Sequence, residues 1–150
     1  MFRWNNNNHH CHVLNVDGSC LGSPIRAGFG GLIRNRAGYF LSGFSGYLPS
    51  SNCILLAGLT TIFKGLRLAR DMGLEELVCY TDSQLSVNLI ICDISKYHAY
   101  AVLVQDIKDT MASRNFIIQH TLREGNQCAD YMAKLGAPSD FGFVLHPSTP

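Results

Sequence analysis

Three aspartates in this 150-residue chain stand where the local pattern changes, and each has neighbours that could fix its position. Asp17 closes the apolar run Val13-Leu14-Asn15-Val16 and precedes Gly18-Ser19. Asp82 closes Leu77-Val78-Cys79-Tyr80-Thr81 and precedes Ser83, while Asp130 ends the run Arg123-Glu124-Gly125-Asn126-Gln127-Cys128-Ala129-Asp130. Carboxylates brought in on separate elements suit a hydrolytic metal centre. Hard divalent cations take oxygen ligands, and Mg²⁺ keeps several waters, so a few carboxylates together with a substrate phosphate suffice. Two such ions about 3.5 to 4 Å apart activate water and steady the leaving oxygen of a phosphodiester. Taken singly, each aspartate reads equally well as a turn cap.

The elements that must position them follow from periodicity. Residues 13–17 read as a strand that delivers Asp17 at its end, followed by the turn residues Gly18-Ser19, residues 26–34 as a second strand, and Asn35-Arg36-Ala37-Gly38 as a turn into a third over 39–47. Three consecutive strands predict an antiparallel meander. Gly28, Gly30 and Gly31 lie inside a strand with no helix after them, which leaves no phosphate-binding loop there. Ser50-Ser51-Asn52 offers an N-cap, and apolar residues at 55, 59, 62, 66 and 69 share one helical face that stops near Gly73. A short strand then delivers Asp82, and Ser83 caps a helix over 84–91. A further helix over 100–112, a strand over 116–122 and a last helix over 126–135 complete an α/β order.

Composition sets the frame. With 47% hydrophobic and 15% charged residues and a formal net charge of +1, the chain reads as one domain with a sizeable core and no global basic field. Six cysteines without a C-x-x-C pair argue against a zinc module and read as small buried hydrophobes, Cys79 and Cys92 among them. Residues 1–11, with Asn5 to Asn8 and His9, His10 and Cys11 leading to His12, read as a flexible lead-in. The domain spans 12–137, and 138–150 reads as a loose C-terminal tail. The sequence shows no secretory signal and no apolar run of membrane-spanning length, so an intracellular location, nuclear or cytoplasmic, without membrane contact is expected.

The motifs Asn15-Val16-Asp17-Gly18-Ser19, Tyr80-Thr81-Asp82-Ser83, and His120 through Asp130, in that order, resemble the ribonuclease H-like domains. The likeness is to the plant type found in non-LTR retrotransposon reverse transcriptases or as separate ribonuclease H proteins, and it covers residues 12–137. The fold it implies is a five-stranded mixed sheet, three antiparallel strands then two parallel, flanked by helices. The activity it implies is endonucleolytic, Mg²⁺-dependent (or Mn²⁺-dependent) hydrolysis of RNA in an RNA·DNA hybrid. By that resemblance Asp17, Asp82 and Asp130 are catalytic metal ligands, and Gly18, Ser19, Arg123 and Asn126 contact the substrate. His120 falls where some members carry a mobile histidine that assists product release. A monomer, once fused to a reverse transcriptase domain, is the expected assembly.

One position departs from the family pattern. Where the first helix should carry glutamate in an Ala-Glu pair, the chain reads Leu56-Ala57-Gly58-Leu59, and Glu75, Glu76 and Glu124 all lie far from that helix in sequence. Gly58 therefore predicts weakened or absent cleavage, with a non-catalytic nucleic-acid-binding or scaffold domain as the alternative. Lys64, Arg67 and Arg70 on the first helix, or Arg34 and Arg36 at the first turn, are candidate phosphate contacts that read equally as solvated surface.

Overall fold

The computed structural model describes residues 11–21, 26–48, 54–92, 99–121, 129, 132–134 and 143–147. Alternation along the first strand, β1 (His12–Leu21), sorts its side chains to two faces. Leu14 and Val16 enter the main core, whereas Val13 joins Val78 and Tyr80 in a smaller cluster. β2 (Arg26–Arg34) and β3 (Phe40–Leu48) continue from it as the expected antiparallel meander. Asn35 holds the turn between them, its side-chain oxygen accepting from the Ala37 and Tyr39 amides.

The first helix, α1 (Ile54–Asp71), buries Leu59, Ile62, Leu66 and Ala69, the stripe expected from the sequence, against the sheet. It ends where Gly73 turns left-handed at φ 79, a conformation that costs glycine little. β4 (Glu76–Thr81) then runs parallel to β1. α2 (Gln84–Ile91) and α3 (Ala101–Ala112) follow, and β5 (Asn115–His120) runs parallel to β4. No helix among the described residues is long and apolar enough to cross a membrane.

The sheet has six strands in the order β5-β4-β1-β2-β3-β6, one more than expected. The extra strand, β6 (Val144–His146), pairs antiparallel with β3 and comes from the segment read as a loose tail. Three residues are too few to show a period, and the outer edge of β3 supplies the order that the local pattern does not. Two further expectations are corrected. Asp17 lies inside β1 rather than at its end, because Gly18 and Ser19 stay extended by pairing with Phe29 and Gly28 of β2. Cys92 is exposed, whereas Cys79 is buried as expected. The N-cap expected at residues 50–52 lies outside the described residues, as does much of the helix expected over 126–135, of which 129 and 132–134 are helical.

Candidate active site

Sheet register brings two of the three aspartates together. Pairing between β1 and β4 reaches Val16 opposite Thr81, so Asp17 is the next position on β1 and Asp82 the first residue past the end of the neighbouring parallel strand β4. Adjacent strands lie about 5 Å apart. β1 also divides the parallel half of the sheet from the antiparallel half, and crevices at the carboxyl ends of strands form at such divisions. A cleft of about 210 Å³ opens there, lined by Asp17, Gly18, Leu55, Gly58, Thr81, Asp82, Ser83 and Leu85.

Local structure fixes each wall. Asp17 is only 7% exposed, held in the middle of a strand that pairs with β2 through and beyond its position and with β4 as far as Val16. Ser83 caps α2 by accepting from the Ser86 amide at 3.2 Å, and its own amide donates to Thr81 Oγ1 at 3.1 Å, which fixes the backbone on either side of Asp82. The Ser83 hydroxyl donates to Ser86 Oγ at 2.8 Å. Ser86 is fully buried beneath Gly58, with its Oγ 3.2 Å from where a Cβ at Gly58 would stand. Gly58 and Leu55 are the α1 residues that line the cleft beside the two aspartates, and among the described residues a Cβ at Gly58 would meet only the Ser86 hydroxyl.

The other candidates are more dispersed. Gly18 lines the cleft; Ser19 is buried in β1 and does not. His120 pairs with Thr81 from β5, which places it exposed at the same end of the sheet, one strand beyond Asp82 and outside the cleft lining. Arg123, Asn126 and Asp130 lie outside the described residues. Ala129 packs with Leu32 and Met132 on the sheet face opposite α1. Arg34 is paired with Val13, four residues before Asp17, so the Arg34 and Arg36 turn stands about 13 Å from the cleft at strand rise. Arg67 and Arg70 share a groove with Asp106 and Asp109 of α3, and Arg67 lies over the Phe63 ring at 5.4 Å. Arg70 also lies 3.7 Å from Asp71.

Sequence reasoning missed Leu55, Leu85 and the Ser83–Ser86 hydroxyl pair. The last was readable in principle, since a capping serine three residues before another serine places both in one helical turn. Two carboxylates on neighbouring strands between apolar walls are a donor set that suits a hard, hydrated cation such as Mg²⁺. They do not form a full cluster: among the described residues no three His, Cys, Asp or Glu side chains come together as metal ligands.

Comparison with known proteins gives a consistent picture. The family model described as reverse transcriptase-like matches residues 15–136. A protein of Arabidopsis thaliana named as a ribonuclease H protein is 28% identical over 133 residues, 87% of this chain, and the chain spans 21% of that protein's length. The N-terminal RNase H domain of a Mycobacterium tuberculosis protein superposes with a TM-score of 0.75 at 21% identity, covering 85% of this chain and 93% of that one. An RNase H solved with an RNA/DNA hybrid, from compost, superposes at 0.74 with 22% identity, covering 85% of this chain and 96% of that one.

Proposed function

The chain belongs to the reverse transcriptase-like family and has the RNase H fold, and from that premise we propose that its cleft binds the RNA strand of an RNA·DNA hybrid and cleaves it weakly or not at all. One observation carries the reading: register brings Asp17 next to Asp82, and the cleft they line includes Gly58, where the family pattern has a fourth carboxylate and this chain has none.

In this reading Asp17 and Asp82 would hold a divalent cation, with Asp130 as a third ligand. When bound, Mg²⁺ neutralises phosphate charge and makes an attacking water more acidic. The chain's own residues do the rest. Leu55 and Leu85 give the cleft apolar walls, which lower the local dielectric and strengthen the hold of the carboxylates on a cation. Gly18 lines the cleft floor on which the phosphate backbone would lie, Ser19 supports the strand beneath it, and Arg123 and Asn126 would hold the strand being cut. His120, exposed one strand beyond Asp82, meets the departing product. Gly58 has no side chain to orient the water or share a cation; loss even of a partner that only supports a metal ligand costs about 10- to 100-fold, and loss of a direct ligand costs more.

Gly58 also favours a second reading, a domain that keeps hybrid binding without chemistry. The family to which the chain belongs supports an origin beside a reverse transcriptase domain. Binding is tested by titrating a labelled RNA·DNA hybrid with the full chain, in Mg²⁺ and in chelator, against DNA duplex competitor. Hybrid-selective binding that weakens with Asp17→Asn in Mg²⁺ supports the proposal. Equal affinity for both duplexes, unchanged by that substitution, overturns it.

A further inference from the structure

β3 carries neither charge nor proline over its nine residues, Phe-Leu-Ser-Gly-Phe-Ser-Gly-Tyr-Leu. An outer strand of that composition is a template for pairing with another chain, and folded proteins blunt such edges with charge, proline, bulges or a covering segment. The opposite outer strand, β5, is shorter, with six residues, and carries polar Asn115, Gln119 and His120. Among the described residues, β3 is instead covered at Gly43, Phe44 and Ser45 by the three residues of β6. Phe143 stacks on Phe44 with centroids 5.8 Å apart and planes 14° apart, and His146 Nε2 lies 2.8 Å from Ser45 Oγ. The cover is slight: Phe143 remains 42% and Leu145 50% exposed.

The sequence of β3 says what else fits there. Antiparallel pairing about Phe44 with a second β3 sets Phe44 against Phe44, Gly43 against Ser45, Ser42 against Gly46, Leu41 against Tyr47 and Phe40 against Leu48. Large apolar residues meet large apolar residues, small meet small, and no like charges face each other. Such a contact uses the same patch on both copies and closes as a two-fold dimer.

We propose that residues 143–147 are a cover that keeps β3 from pairing edge to edge with β3 of a second copy of this chain, and that lifting the cover yields a dimer. This surface is independent of the cleft and of any activity there. In the full chain, Phe143→Ser with Leu145→Pro removes the stacking ring and an edge amide. Light scattering across a concentration series should show the natural chain at one copy and the folded variant at twice that mass. Amide exchange should slow over residues 40–48 of the dimer relative to the diluted variant, and adding Tyr47→Lys, a charge on the edge, should return it to one copy. A folded variant that stays at one copy throughout overturns the proposal, as does a dimer whose β3 amides exchange as in the monomer. If the double variant loses its helical circular dichroism, His146→Ala alone decides: a smaller shift toward the dimer supports the cover, and no shift counts against it.

Discussion

Gly18 and Gly58 meet backbone to backbone. A methyl group built on Gly18 would lie 2.8 Å from the Gly58 amide nitrogen and 2.9 Å from the Ala57 methyl, so the strand that carries Asp17 packs directly on the Ala57–Gly58 segment of α1 at the cleft. The contact sets how far Asp17 stands from the helix position where a carboxylate would project.

Gly18→Ala is therefore expected to push β1 away from α1. Overpacking against backbone, which cannot rotate aside, costs about 1–3 kcal/mol. Urea unfolding of the two chains reads this directly as a lower midpoint with an unchanged slope. An equal midpoint would mean that the helix yields freely.

Gly58→Ala should act in the opposite direction. Alanine is favoured over glycine inside a helix by about 1 kcal/mol, and the one tight neighbour of the new methyl is the Ser86 hydroxyl at 3.2 Å. A small rotation of that side chain relieves the contact, so a net gain below that figure is expected in the same urea experiment. A loss would show that the Ser83–Ser86 hydrogen bond cannot adjust.

His12 predicts a dependence on pH. Burial, with the Arg36 charge beside it, holds its imidazole below the ordinary value of 6.5. As the pH falls below 6.5, the unfolded chain takes up a proton that the folded chain resists until the pH reaches the lowered value. Stability therefore declines through that window and is unaffected above it. Melting curves between about pH 7 and pH 5, where an imidazole changes charge, should fall more steeply for the natural chain than for His12→Gln. Parallel curves would contradict the assignment.

Thiol reactivity separates two cysteines that looked alike in sequence. Burial pushes the Cys79 thiol far up, and Cys92 is exposed. An alkylating reagent followed by peptide mass analysis should modify Cys92 in the native chain and Cys79 only after unfolding. Labelling of Cys79 at the same rate as Cys92 would place it outside the core.

The sequence carried most of the frame because local signals and tertiary demands agreed. β2 and the buried stripe of α1 stand where their periods put them, and Ser83 caps α2 as its position before an apolar run predicts. The misses share one cause, order imposed by a partner strand. Gly18 and Ser19 read as a turn until β2 holds them extended, and β6 has no signal without the edge of β3. The meeting of Asp17 and Asp82 was legible as matching strand ends. The hydroxyl beneath Gly58 was not, because it depends on how α2 packs under α1. For Arg67 and Arg70 the sequence left the choice between phosphate contact and solvated surface open, and Asp106 and Asp109 of α3 now stand across from them.

The most direct test is cleavage of a labelled RNA·DNA hybrid in Mg²⁺ by the natural chain, by Gly58→Glu, and by Gly58→Glu combined with Asp17→Asn. A missing carboxylate in an otherwise intact cleft predicts slow or no cleavage by the natural chain, a gain of about 10- to 100-fold or more with glutamate in place, and loss of that gain when Asp17 is neutralised. Cleavage by the natural chain at a rate that Gly58→Glu leaves unchanged would contradict it.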